Sequence, residues 1–201
     1  MKKRIAVVMG GTTSEHDISL KSGDVVLKHL PKNKFYATAV IISKSGWVAQ
    51  HNGQQVPVDQ NTFSYIFEGK THSFDAVFNA VHGTPGENGE LQTHLENINI
   101  PYTGCSAKVA RLTYNKYDTL EFLAPHGIYM AKHQLLHKND DWDVTKLVKT
   151  IGLPCFVKAN KAGSSYGVVK VRKAADMEAA ITKAFLEDDQ VLIESFLDGT
   201  E

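Results

Sequence analysis

The stretch that decides the fold is "IAVVMGGTTSEHDISLKSG", residues 5–23. A short apolar, β-branched run ends on two glycines, and a polar turn then opens a helix-like pattern. Residues 5–9 read as a buried strand, continuous and stopped by glycine. Ser14 fits a helix N-cap, with Asp17 three residues on and Glu15 in the first turn. The helical pattern runs through Ile18, Val25, Val26 and Leu30 and stops at Pro31. Residues 35–42 read as a second strand. Strand, helix and strand at this spacing make a βαβ unit, so the sheet is expected to be parallel.

Working outward, residues 43–70 are more irregular. "SKSGW" is a turn, and "WVAQHNGQQVPV" reads as a hairpin around Asn52 and Gly53. Residues 74–81, "FDAVFNAV", are the next buried strand, followed by a helix over 90–97 and a short strand at 100–102. The first hundred residues thus alternate β and α, as an open doubly wound sheet does. Residues 107–123 read as one helix containing Lys116. Beyond it come a strand ("IYMAKHQLL"), a helix over 144–150, "CFVKA", a glycine–serine loop, "GVVKV", a helix over 177–186 and "QVLIESFL". Two of these strands flank a glycine loop with no helix between them, so they form an antiparallel hairpin and this half is α+β. The expected division lies near Asp118, giving domains 1–117 and 118–201. The chain stops straight after a strand, which reads as a truncated second domain.

Composition excludes several functions. There are 22 basic and 22 acidic residues, a net charge of zero, so nothing supports a nucleic-acid partner. Cys105 and Cys155 form no CxxC pair and read as small buried hydrophobes in a reducing compartment. "MKKRIAVVMGG" imitates a signal peptide, but its apolar run is too short. No run approaches the ~20 apolar residues that cross a bilayer. A soluble, cytoplasmic protein with no membrane partner is expected.

Three loops can carry chemistry. The opening loop is a poor phosphate site: its glycines are adjacent rather than spaced G-x-G-x-x-G, and the second strand ends without an acid. Glu15 would also put negative charge where a phosphate should sit. A carboxylate there suits a cation such as a substrate ammonium; alternatively, Glu15 merely complements the helix dipole. The second loop, "VHGTPGENGE", follows a strand carboxyl end and should share a crevice with the first. Three glycines near His82 allow close backbone approach, although a tight turn with a solvated histidine reads equally well. In the third, "CFVKANKAGSSYGVVKV", Lys158 ends a strand and Gly163, Ser164 and Ser165 form the tip. Such a hairpin can cradle phosphate oxygens, or be a flexible turn with surface lysines. His133 and His137, four apart on a strand, read as a solvated pair rather than metal ligands.

"GGTTSEHDIS", "HGTPGENGELQ" and "VKANKAGSSYGVVKV", in this order and spacing, together closely resemble the D-alanine–D-alanine ligase family of the ATP-grasp superfamily. The resemblance runs the length of the chain. It implies a Rossmann-like, pre-ATP-grasp sheet followed by an incomplete ATP-grasp domain. It implies an ATP-dependent ligase that joins two D-alanines through an acyl phosphate for peptidoglycan synthesis. On this resemblance Glu15 and His82 bind the first D-alanine, and Ser164 joins Glu15 in a network that tethers the loops. ATP falls to Lys116, Lys158, Gly163, Ser164, Ser165, Glu194, the backbone at Phe196 and Leu197, and Glu201. Ala159 departs from the pattern, where the family usually has proline. The resemblance places the Mg²⁺ carboxylates and an oxyanion-binding arginine beyond residue 201, so no metal ligand is expected in this chain and residues 1–201 alone are expected to be inactive. A homodimer through the first domain is also implied. Open alternatives are a ligase that joins D-alanine to D-lactate or D-serine, and a non-catalytic nucleotide-binding module. The missing dinucleotide fingerprint argues against a dehydrogenase.

Overall fold

The structure, a computed structural model, describes residues 2–199; Glu201, expected at the nucleotide site, lies outside the described residues. The chain divides into two compact units, Met1–Arg111 and Leu112–Glu201. The change from alternating β and α to α+β puts the expected division near Asp118; the observed one puts the helix that carries Lys116 wholly in the second unit.

The first unit opens with β1 (Lys3–Gly10), α1 (His16–His29) and β2 (Phe35–Ser43). β1 and β2 pair in parallel, Lys3 opposite Phe35 through Gly10 opposite Ile42, so the βαβ expectation holds. Then follow β3 (Gly46–His51), β4 (Gln54–Pro57), β5 (Ser64–Phe67), β6 (Lys70–Ser73), β7 (Ala76–Asn79) and α2 (Glu90–Asn97). The main sheet runs β4-β3-β2-β1-β7. Its β2, β1 and β7 are parallel, while β3 and β4 join antiparallel at one edge through the hairpin at Asn52 and Gly53. The β5–β6 hairpin lies in the segment that reads as irregular. Its tip is Glu68-Gly69, with φ of 47° and 72°, a weaker turn signal than Asn-Gly.

β1 is buried on both faces, as parallel strands are. Ala6 and Val8 pack with Leu91 and Leu95 of α2. Val7 and Met9 pack with Leu20, Val26 and Leu27 of α1. Gly23, buried in α1, lets the helix lie close to β1: a Cβ there would fall 2.8 Å from both Cβ and Sδ of Met9. The expected cap of α1 shifts by one residue. Glu15, not Ser14, occupies the N-cap position; Ser14 is exposed.

One expected helix over 107–123 is two, α3 (Ala107–Tyr114) and α4 (Lys116–Leu123). They break at Asn115, which is extended (φ −87°, ψ 103°) and whose side chain accepts the Asp118 N–H. Asparagine is a good N-cap because its side-chain oxygen replaces the carbonyl that the first turn lacks. Lys116 therefore opens a helix rather than sitting within one.

The second unit continues with β8 (His133–His137), α5 (Val144–Ile151), β9 (Cys155–Ala159), β10 (Val169–Val171), α6 (Met177–Ala184) and β11 (Gln190–Ser195). Its sheet runs β10-β9-β11-β8 with every pair antiparallel, the α+β arrangement expected. β8 is shorter than the expected strand, since 128–132 stay outside it. Cys155, Val157, Val191 and Ile193 face a core with Leu147 and Ile151 of α5 and Ile181 and Ala184 of α6. Cys155 is buried as expected, but Cys105 is exposed.

Candidate active site

In the first unit, the carboxyl ends of β1 and β7 lead into two loops that are bonded to each other. Gly10 and Gly11 turn the chain at φ of 93° and 113°, where a side chain would be strained. The Gly10 N–H donates to Ser19 Oγ at 2.8 Å, the Gly11 N–H to the Ile42 carbonyl at 2.8 Å and the Thr12 N–H to the Thr84 carbonyl at 2.9 Å. These amides are spent inside the protein and do not cradle an anion. Ser19 Oγ, fully buried, donates in turn to the Ala80 carbonyl at 2.8 Å, so α1 is tied to the ends of both strands.

Glu15 is 3% exposed. Its carboxylate lies against the second loop: a Cβ on Gly83, which has φ of 70°, would come within 3.1 Å of Glu15 Oε2. His82 is half-buried and its Nε2 meets Ser22 Oγ of α1 at 2.9 Å. The Gly83 N–H donates to Glu87 Oε2 at 3.0 Å, and the Gly86 carbonyl accepts from Asn79 at 2.8 Å and Gln92 at 2.5 Å. Glu15 and the Gly83 backbone that follows His82 thus lie together at the strand ends, where open α/β sheets bind ligands.

In the second unit the sheet face turned away from α5 and α6 carries the other expected residues. Phe156 and Lys158 alternate with the core-facing residues of β9. Glu194, in register with Phe156, forms an ion pair with the Lys158 ammonium. Lys170, in register with Phe156 from the other side, places its ammonium 3.4 Å from the centre of the Phe196 ring. The rings of Phe156 and Phe196 lie 6.0 Å apart. Two lysines and two aromatic rings on one face suit a ligand that is both anionic and aromatic. The hairpin beyond β9 turns on Ser164 and Ser165, with φ of 47° and 59°, and Gly167, with φ of 68°. The Tyr166 N–H closes it on the Gly163 carbonyl at 3.0 Å.

Lys116 projects to the base of that hairpin. Its ammonium donates to the carbonyls of Ala159 and Asn160, both at 3.2 Å, and of Ala162 at 2.5 Å. The neighbouring Lys161 is engaged elsewhere, with Asp189 at 3.0 Å and Asp188 at 3.4 Å. Burial, together with the adjoining Asp189, raises the Asp188 carboxyl above its ordinary range.

Two family models match the chain. One, described as D-ala D-ala ligase N-terminus, covers residues 4–105; the other, D-ala D-ala ligase C-terminus, covers 122–201. The chain belongs to the D-alanine–D-alanine ligase family. A D-alanine–D-alanine ligase of Flavobacterium johnsoniae is 47% identical over 200 residues, 99% of this chain and 62% of the relative. The D-alanyl-alanine synthetase A structure from Vibrio cholerae superposes with a TM-score of 0.86 at 31% identity, over 98% of this chain and 60% of that one. A Bacillus anthracis D-alanine–D-alanine ligase complexed with ATP superposes with a TM-score of 0.74 at 27% identity, over 98% and 60%. The chain therefore spans about three-fifths of the length of its relatives. The expected fold class, a Rossmann-like sheet followed by part of an ATP-grasp domain, stands with the family.

Within this family framework, the structure adds residues that the motifs did not single out. Asn160 is fully buried at the end of β9 and hydrogen-bonded on every side; an asparagine just past a strand is the only signal it left. Lys170 reads as an ordinary outward lysine until Phe196 is seen beneath it. His133, expected to be solvated, is only 15% exposed in its side chain. Its Nδ1 lies 3.0 Å from the Ala131 carbonyl and its Nε2 3.0 Å from Glu121 Oε1, and both nitrogens donate only when the ring is protonated. Among the described residues no group of three or more His, Cys, Asp or Glu side chains could hold a metal ion. The described residues therefore supply no carboxylate cage for magnesium. Among the same residues no helix is long and apolar enough to cross a membrane.

Proposed function

We propose that the full-length protein is a cytoplasmic ATP-dependent ligase that joins two D-alanines for peptidoglycan precursor synthesis. One observation carries the reading: a buried carboxylate, Glu15, lies against Gly83 at the strand ends, beside loop amides already spent on the protein. Such a site favours a cation over a phosphate, as an amino-acid ammonium requires. Glu15 holds the ammonium of the first D-alanine, and His82, steadied by Ser22, lines the same site.

The γ-phosphoryl group of ATP passes to the carboxylate of that D-alanine, forming an acyl phosphate and ADP. The amine of the second D-alanine attacks the acyl carbon, the C–N bond forms and phosphate leaves with the electron pair of the C–O bond. Phosphoryl transfer depends on positioning and charge neutralisation. Lys116 and Lys158 supply positive charge, and the hairpin of Gly163, Ser164 and Ser165 supplies amides and hydroxyls. Glu194, Phe196 and Leu197 face the base and ribose. Magnesium accompanies the nucleotide without a ligand set from residues 2–199. The same reading implies a homodimer through the first unit, which sedimentation of the full-length protein tests.

The deciding assay is phosphate release by the full-length protein with ATP, comparing D-alanine, D-serine and D-lactate as second substrates. Release that depends on D-alanine alone is expected. In Glu15→Gln, loss of a charge-assisted contact raises the KM for the first D-alanine roughly 10- to 100-fold while ATP affinity holds. Weaker ATP binding with unchanged D-alanine dependence would remove Glu15 from the amino-acid site.

A further inference from the structure

Lys116 is one of two lysines that the proposed reaction needs near the phosphates, yet it belongs to a short helix rather than to the sheet. Something must fix that helix on the strand end. Asn160 makes the connection. Its Oδ1 accepts the Tyr117 N–H at 2.9 Å, in the first turn of α4. Its Nδ2 donates to Asn115 Oδ1 and to Gln190 Oε1, both at 2.8 Å. Asn115 is the N-cap of α4, and Gln190 is the first residue of β11.

The Asn160 backbone is equally committed. Its N–H donates to the Gln190 carbonyl at 2.9 Å, and its carbonyl accepts both the Lys116 N–H at 3.3 Å and the Lys116 ammonium at 3.2 Å. The residue is fully buried. One amide thus joins β9, β11 and α4, and directs Lys116 to the base of the serine hairpin. Acidic, shorter or apolar side chains do not fill these roles. Aspartate offers no N–H to Asn115 or Gln190, serine is too short to span both, and alanine leaves buried polar groups without partners.

We infer that Asn160 is a positioning residue of the nucleotide site, acting through Lys116: it locks the start of α4 to the end of β9, so that the Lys116 ammonium and the serine hairpin hold one fixed spacing. This rests on the reading that Lys116 and the hairpin serve ATP. A rigid spacing matters because phosphoryl transfer is governed by placement, and a lysine displaced by about 1 Å can cost roughly 100-fold in rate.

The test uses the full-length protein with ATP and D-alanine. Asn160→Ala and the milder Asn160→Ser are each compared with Lys116→Ala and with the double variants. The expected result is a KM for ATP raised, or kcat lowered, by roughly 10-fold or more, with the KM for D-alanine unchanged. In the double variants the loss should be close to that of Lys116→Ala alone, because Asn160 works through that lysine. Asn160→Ser covers the case in which alanine prevents folding. If both Asn160 variants lower only the melting temperature, and turn over ATP normally below it, Asn160 is structural and the inference fails. Fully additive losses with Lys116→Ala also overturn it. If Lys116→Ala itself leaves ATP use intact, the proposed nucleotide role fails instead.

Discussion

Single side chains here act through the partners the fold supplies. Burial works against the His133 imidazolium, but the Ala131 carbonyl and the carboxylates of Glu121 and Glu194 outweigh it, so the His133 pKa rises above its ordinary value near 6.5. A raised folded-state pKa stabilises the protein fully below the unfolded value, and the benefit is lost as pH rises through the folded one. Stability should therefore decline from about pH 6.5 upward by a component that Glu121→Gln reduces. Proton NMR of His133 checks this: a midpoint that does not fall in Glu121→Gln would remove the carboxylate as the cause. Tyr102 shows the same dependence on surroundings, pushed up to about 12 by burial and by its hydrogen bond to Glu96.

Elements are held by close approach and by caps. α1 reaches β1 because Gly23 has no side chain, so Gly23→Ala should drive Met9 aside. Overpacking of this kind costs about 1–3 kcal/mol, and better helix propensity returns only about 1 kcal/mol. A net loss in urea unfolding is expected, and no loss would mean that α1 is free to shift. Ile181 of α6 is fully buried in the second core. Ile181→Ala should cost about 2–5 kcal/mol in the same measurement. α5 begins at Asp143, whose carboxylate accepts the Thr145 N–H at 2.7 Å and the Lys146 N–H at 3.2 Å. These N–H groups hold its pKa below the usual carboxylate range. The cap is therefore complete above the unfolded pKa and is lost as pH falls through the folded one. Asp143→Asn should keep the helix while flattening that acid-side loss, as circular dichroism against pH would register.

For the molecule as a whole, the two units carry chemically different sites. The first places a buried carboxylate, Glu15, at its strand ends; the second places Lys158 and Lys170 beside two aromatic rings. On the proposed function, hydrogen exchange in the full-length protein should respond to each substrate separately. D-alanine should protect residues 10–16 and 82–87, and ATP residues 156–170 and 194–197. A ligand present at a hundred times its Kd should also stabilise by about 2.7 kcal/mol. Protection of 10–16 by ATP alone would put the nucleotide on the wrong loop.

The sequence alone determined the βαβ opening, the antiparallel hairpin of the second unit and the family, because period, turn residues and motif spacing are local properties of the chain. It also marked the first loop as a poor phosphate site on glycine spacing and charge, and the amides of Gly10, Gly11 and Thr12 are bonded within the protein. It did not reveal the break at Asn115, the one-residue shift of the cap to Glu15, the ion pair of His133 with Glu121, or the role of Asn160. The last two depend on groups 12 and 45 residues apart in the chain, and local patterns do not encode which strand end meets which helix start. Only the tertiary structure brought those partners within hydrogen-bond reach, where burial makes an unmet polar group costly and so fixes one arrangement.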